Sequence, residues 1–489
     1  MVLLVQCALS LRLIWSTTAF QDEALYIWSG RLEWSHWLYG TAIPPFPAYF
    51  SGAPVVYPPL AGYADAVAGL AGPRLLSLLF LLIATTLLHG VTRRIFDRRS
   101  AFFAVALFVG LGSVQFLGSL ATYDAMAVML LAMATWLGVR AAGCQLILQQ
   151  AVLALAGVTL ALADATKYAA ALYDPVVVAV IVLVIWRARG RRAAIGAFVI
   201  LGATLSLLLF AGLAVGGHVY WQGVESTTLS RQEGTWPAFG ILYVSVGWIG
   251  AVMLLAVIGS IAMVFVRQDW PTRLLGLTLL LAPFLAPAEQ ARIHVFTSLF
   301  KHVGFGGWFG AIAGGFALAS FLTVVPAVKA NAAESVSVAA VVLAAVPGIG
   351  LATAHFTGGW PNSATYVADL RPWVAADRGE MLFDDVNIVE YYLPGSAQWQ
   401  HVINNVYFAY TDPVTGKRIL NTPAAYSDAI KHHYFGLIGL IYGNAANTYD
   451  PAILADVRRY GGYRKVLDLP YRLEGRRGEF LVFVRQAQA

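Results

Sequence analysis

The chain has 489 residues, of which 59% are hydrophobic and only 12% charged, against about 25% charged in an ordinary soluble domain. That composition excludes a soluble globular enzyme and predicts an integral membrane protein. The formal charge of +6 does not signal a nucleic-acid partner, because most of the Lys and Arg excess sits in short loops between apolar runs, where it reports orientation in a bilayer.

Apolar runs of roughly 17 to 25 residues, the length that crosses a bilayer, number about eleven. They fall near 2–19, 73–91, 100–118, 124–141, 146–164, 169–186, 193–215, 241–266, 273–288, 303–323 and 335–354. The first is short like a cleaved signal. It lacks a basic start, and no A-x-A-like site precedes Asp22, so it reads as a span. Cys7 and Cys144 lie in or beside apolar segments, which excludes a disulfide framework and a thiolate metal cage.

Loop charge sets the orientation. Arg93, Arg94, Arg98 and Arg99 follow the second span, Arg187, Arg189, Arg191 and Arg192 the sixth, and Arg267 and Arg273 flank the turn after the eighth. These loops share one side, which the positive-inside rule assigns to the cytoplasm. Asp22, the loop 216–240, the segment 288–302 and the tail from His355 onward then lie outside.

The first external loop, 20–72, opens on Asp22 and Glu23, two carboxylates where the chain leaves the membrane. Acids at that depth are costly and mark pathways or reactions. From Asp22 to Tyr39, Leu25, Trp28, Leu32 and Tyr39 share a helical face, with Trp34 and Trp37 suited to the headgroup zone. The pattern predicts an interfacial helix with Asp22 at its N-terminus, where unpaired amides and the dipole favour an ionised carboxylate. Beyond it, Pro44, Pro45, Pro47 and Pro54 lead to Tyr57-Pro58-Pro59-Leu60, read as a stiff turn.

The second external turn places Asp124 at the mouth of the fourth span. Two roles are open to it: capping that span, or facing Asp22 across an external cavity. Asp164 and Lys167, at the corresponding position two spans on, read as a local ion pair. The loop 216–240, with His218, Glu225, Arg231 and Glu233 among aromatics, has the size of a lid or substrate-contacting loop, and equally of a solvated connection. Arg292, His294, Lys301 and His302 gather at the external interface against the positive-inside trend. Basic groups there suit a phosphate at headgroup depth, and equally snorkelling to lipid phosphates.

From His355 the composition turns polar, and residues 355–489 form a soluble domain with its own core. Met381–Phe383 reads as a strand, Asn387–Tyr392 and His433–Ile441 as helical, and Tyr463–Leu467 with Glu479–Arg485 as closing strands, a mixed α/β pattern. Adjacent His432 and His433 point in different directions and are not a metal pair. No GxGxxG, Walker, HExxH or zinc-knuckle spacing occurs, and no nucleic-acid footprint.

An Asp-Glu pair after the first span, a large loop carrying Pro58-Pro59-Leu60, a second external acid and an external tail together resemble the C-type glycosyltransferases that use polyprenyl-phosphate sugars, of the protein O-mannosyltransferase and aminoarabinose transferase type. The resemblance is strongest over the first 140 residues. It implies a polytopic α-helical membrane domain of GT-C type over 1–354, with the α/β domain over 355–489 outside the membrane. Asp22 matches the family's proposed catalytic base and Glu23 its neighbour. Tyr57 departs from the His or Lys that usually precedes Pro-Pro-Leu, so a charge for the donor phosphate must come from Lys301 or Arg292, with His302 beside them.

The implied reaction is transfer of a sugar from a polyprenyl-phosphate donor in the bilayer to a hydroxyl of a glycan, lipid or protein acceptor. Asp22 removes the hydroxyl proton and the anomeric centre inverts; Glu23 or Asp124 orients the base. No cofactor is required, although Asp22, Glu23 and Asp124 offer ligands for a divalent cation if they converge. The alternatives are a transporter or flippase of lipid-linked sugars and a non-catalytic assembly factor. Transporters tend to show internal repeats and midplane polar residues, whereas here the polar groups collect at one surface.

Overall fold

Nine helices among the described residues are long and apolar enough to cross a bilayer in the computed structural model of the chain. It describes residues 1–266, 269–324, 330–376, 379–406, 408–412, 414–420, 422–443 and 448–486, so Arg267 lies outside the described residues. The chain is a multi-pass membrane protein that divides into two units, Met1–Trp15 with Ser29–Thr353, and Ser16–Trp28 with Ala354–Ala489.

The membrane unit begins with α1 (Val2–Ile14), only 13 residues long. Helix α2 (Gln21–Tyr39) covers the stretch expected to be helical, and the boundary between the two units falls within it, at Trp28 and Ser29. The Tyr57-Pro58-Pro59 stretch is not a turn, as its prolines had implied. It opens α3 (Tyr57–Ala68), with both prolines in the first turn, where a missing N–H breaks no intrahelical bond. The two helices touch at Gly30, where a Cβ would come 1.8 Å from the Pro58 carbonyl oxygen. Trp34 Nε1 donates to Pro59 O at 2.9 Å, and Arg31 Nε to Asp65 Oδ2 at 2.9 Å. This crossing fixes where Tyr57 stands.

Helix α4 (Ala71–Ile95) is a full span. The run at 100–118 is broken into α5 (Arg98–Gly110) and α6 (Gly112–Leu117) by an extended Leu111. Glycines on both sides of Leu111 weaken the helix there. Spans follow in α7 (Tyr123–Ala141), α8 (Leu146–Thr166), α9 (Asp174–Arg189), α10 (Arg191–Val224) and α11 (Ala238–Val266). Helices α12 (Trp270–Leu281) and α13 (Leu285–Arg292) share one crossing.

Helix α14 (Leu299–Val324) is the most buried span, packed along α11 and α5. Its small residues permit that approach: a Cβ on Gly315 would sit 2.4 Å from Ser100 O of α5. Helix α15 (Ala330–Gly358) closes the unit and leads into the tail.

The C-terminal unit contains α16 (Ala364–Ala376), β1 (Glu380–Phe383), α17 (Val386–Tyr392), β2 (Val402–Asn404), β3 (Ala409–Thr411), β4 (Arg418–Leu420), α18 (Pro423–Lys431), β5 (Phe435–Tyr442), α19 (Asp450–Tyr460), β6 (Tyr463–Leu473) and β7 (Arg476–Arg485). Five strands form one sheet in the order β2-β1-β5-β7-β6, and β3 pairs with β4. Strand β1 runs parallel to β2 and β5, while β5–β7 and β7–β6 are antiparallel.

The stretch His433–Ile441, read from sequence as helical, is the central strand β5 instead. It is buried on both faces, and a short apolar run of that kind carries no period that separates strand from helix. Ile438 and Leu440 of β5 join Tyr426, Ile453, Val457, Leu481 and Phe483 in the core.

The arm Ser16–Trp28 is part of this unit. Trp360 Nε1 donates to Thr18 O at 3.0 Å, the Ala19 N–H to Tyr392 Oη at 2.9 Å, and the Phe20 and Trp360 rings lie 5.1 Å apart.

Candidate active site

Four polar side chains meet inside the membrane unit. Asp124 stands in the first turn of α7, where the helix dipole favours a carboxylate. Lys167 caps the end of α8 in extended backbone, and its Nζ reaches Asp124 Oδ1 at 3.0 Å. Lys301 and His302 enter from the first turn of α14, with Lys301 Nζ 4.0 Å from Asp124 Oδ2 and His302 Nε2 4.0 Å from Oδ1. Asp124, Lys167 and Lys301 are all buried.

Aromatic and backbone contacts hold the cluster. The Lys167 ammonium lies 4.6 Å from the centroid of Tyr123, a cation–π contact. Tyr123 bonds to Ser51 and meets Tyr57 edge to ring at 6.3 Å. Ser51 and Ala53 are tied to the end of α8 by Tyr168 N to Ser51 O at 2.9 Å and Ala53 N to Ala165 O at 2.7 Å. Tyr57 is fully buried in this neighbourhood.

His302 also lines a cavity of about 200 Å³ with Tyr168, Tyr173, Arg231, Glu289 and Gln290. Burial lowers the Arg231 guanidinium from its ordinary value, though arginine stays charged throughout the physiological range. Arg292 has a different place. It is exposed and donates to Glu289 at 2.6 and 2.8 Å, beside the cavity rather than in the buried cluster. The local pair expected of Asp164 and Lys167 is replaced: Lys167 pairs with Asp124, and Asp164 is set against Asp174. Two ammoniums and a carboxylate in a buried place make a site for an anion, provided the anion brings its own hydrogen-bond acceptors.

Asp22 and Glu23 fold with the C-terminal unit. Asp22 lies partly exposed in the first turn of α2. Glu23 is fully buried, and its Oε2 accepts the Phe20 N–H at 2.8 Å, the reach-back of a capping box.

The comparisons agree on one architecture. A family model described as dolichyl-phosphate-mannose-protein mannosyltransferase matches residues 67–215. The ArnT structure from Cupriavidus metallidurans bound to undecaprenyl phosphate superposes with a TM-score of 0.60 at 13% identity, covering 98% of this chain and 96% of that one. The apo oligosaccharyltransferase from Archaeoglobus fulgidus gives 0.59 at 13% identity, over 98% and 73%. Its complex with Zn and sulfate gives 0.57 at 15%, over 95% and 71%. A search of curated proteins finds no match.

The chain shares the fold of ArnT and of the archaeal oligosaccharyltransferase. Within that fold, sequence reasoning gave Lys167 only a local ion pair and Arg231 only a place in a loop sized for a lid or a solvated connection. Their signal was topological, since each follows a span that exits on the same side as Asp124.

Among the described residues, Asp412, Asp428 and His432 of the C-terminal unit bring one ligand atom each within 4.8 Å of one another. His432 is grouped there with the two acids and not with His433.

Proposed function

We propose that the chain transfers a sugar from a polyprenyl-phosphate donor to an acceptor hydroxyl on the extracytoplasmic face of the membrane, with inversion at the anomeric carbon. The observation that carries this reading is the buried group of Lys167, Lys301 and Asp124, with His302 between it and an Arg231-lined cavity, in a membrane unit of C-type fold. The donor's phosphate occupies that region, with Lys301 and Lys167 supplying the charge that the family's Lys would bring at position 57 and Arg231 reaching in from the loop. Tyr57 packs the wall behind them. Arg292 contributes through Glu289 at the cavity's edge.

In the transfer, the acceptor oxygen bonds to the anomeric carbon while that carbon's bond to the phosphate oxygen breaks. Asp22 takes the hydroxyl proton, and the polyprenyl phosphate leaves with the electron pair, its charge met by the ammonium groups. Glu23, held on the Phe20 amide, fixes the first turn of α2 and so the position of Asp22. A divalent cation, such as the zinc in the Archaeoglobus structure, would find ligands in Asp412, Asp428 and His432, where it would tie the β3–β4 hairpin to α18.

The test is sugar release from a polyprenyl-phosphate donor by purified, folded Asp22→Asn protein. Near-complete loss of transfer with donor binding retained is expected; full activity would sink the base assignment. A proteoliposome showing labelled-sugar counterflow and no covalent transfer would reverse the reading altogether.

A further inference from the structure

Resting on the reading of Asp22 as the base, we propose that the C-terminal unit holds the acceptor, and that a cavity of about 120 Å³ at the start of α2 binds one of its sugar rings. The walls are Phe20, Trp360, Phe480 and Tyr366, and the polar groups include Asp385 and Ser363. Phe20 and Trp360 lie 5.1 Å apart, and Tyr366 stacks on Phe480 at 4.5 Å. Such faces suit the C–H side of a pyranose or furanose.

The floor supplies the hydroxyl partners. Asp385 Oδ1 is buried with no hydrogen-bond partner among the described residues, an arrangement that costs free energy until a donor arrives. Desolvation comes first in pushing this carboxyl up to about 7, and the Asp384 and Asp22 carboxylates add to it by repulsion. Either protonation state hydrogen-bonds a sugar hydroxyl. Gln21, adjacent in sequence to Asp22, also lines the cavity, so a ring seated there lies beside the residue that accepts the proton. A few convergent polar groups among aromatic walls are the usual make-up of a small-molecule site. The cavity's size limits the occupant to one ring of a larger acceptor.

Full-length protein in detergent, titrated with methyl glycosides of common pentoses and hexoses and read by saturation-transfer NMR, tests this. At least one glycoside binds, and its affinity falls about tenfold in Asp385→Asn and several-fold in Tyr366→Phe, the loss expected for one buried hydrogen bond. Trp360→Phe keeps a ring and serves if larger changes unfold the arm; it weakens binding by a smaller factor. Undecaprenyl-phosphate affinity measured on the same samples stays within about twofold, since those groups lie in the other unit.

The proposal is overturned if no glycoside binds at millimolar concentration, if binding ignores both Asp385 and Tyr366, or if a Ser/Thr peptide or a divalent cation displaces the glycosides from Asp385. Failure of the base reading has a different signature: Asp22→Asn then transfers sugar at full rate while glycoside binding still depends on Asp385.

Discussion

The Lys167 ammonium stands 3.0 Å from the Asp124 carboxylate, joining the end of α8 to the start of α7 inside the membrane unit. Both groups are buried, and removing one partner of such a pair costs about 3–5 kcal/mol. Asp124→Ala is therefore expected to lower thermal stability in detergent strongly. The double variant Asp124→Asn with Lys167→Met is expected to recover part of the loss, because the Lys167 ammonium is then no longer left buried without its carboxylate. Equal loss in the single and double variants would mean that the charge pair is not the cause.

Lys301 and Arg292 should separate in a donor-binding assay. A charge-assisted bond to the phosphate is worth about 1.5–3 kcal/mol, so Lys301→Ala should weaken undecaprenyl-phosphate binding by roughly 10- to 100-fold. Arg292 is exposed and committed to Glu289, and Arg292→Ala should change the same affinity by less than about threefold. The reverse ranking would move the phosphate out of the buried cluster.

Two glycines give a packing test. A Cβ at Gly30 would lie 1.8 Å from Pro58 O, whereas one at Gly196 in α10 meets nothing within 4 Å. Gly30→Ala should destabilise by about 1–3 kcal/mol and disturb Tyr57, since Gly30 meets the turn that carries it. Gly196→Ala should be neutral or stabilising by up to about 1 kcal/mol. Thermal melts of the two proteins side by side decide it.

Burial pushes the Glu390 carboxyl up to about 8, with Asp385 adding to it. An unfolded glutamate titrates near ~4.3, so between these values the folded state binds more protons than the unfolded one. The contribution of Glu390 to the stability of the C-terminal unit is then fully present below about pH 4.3 and is lost as pH rises through about 8, an amount on the order of a few kcal/mol. Glu390→Gln should flatten that slope and raise stability at pH 8 and above. Amide exchange of β1 and β5 across this range is the measurement. A slope of the opposite sign, or one unchanged in the variant, would refute the assignment.

Much of this architecture was legible because bilayer thickness imposes a length on each span, and an apolar run of that length has few other uses. Helix α2 was equally plain as a helix from Leu25, Trp28 and Leu32. What the sequence did not disclose depends on contacts between distant segments. Lys167 has an acid three residues before it, and only the fold reveals that its partner is Asp124. Strand β5 was hidden by its own burial, since Phe435 to Ile441 lacks the alternation that exposure on one face would impose. The prolines at 58 and 59 were ambiguous because the first turn of a helix tolerates them as well as a loop does.

The arm Ser16–Trp28 belongs to the same unit as Ala354–Ala489, which sets an order of events during synthesis. The arm is among the first segments made, yet its partners Trp360 and Tyr392 emerge only after every membrane helix has been translated. At ribosomal rates that interval is on the order of tens of seconds. Throughout it, the first turn of α2 lacks its anchor. A nascent or truncated chain ending before Trp360 would thus lack the Trp360 and Tyr392 bonds that hold Thr18 and Ala19.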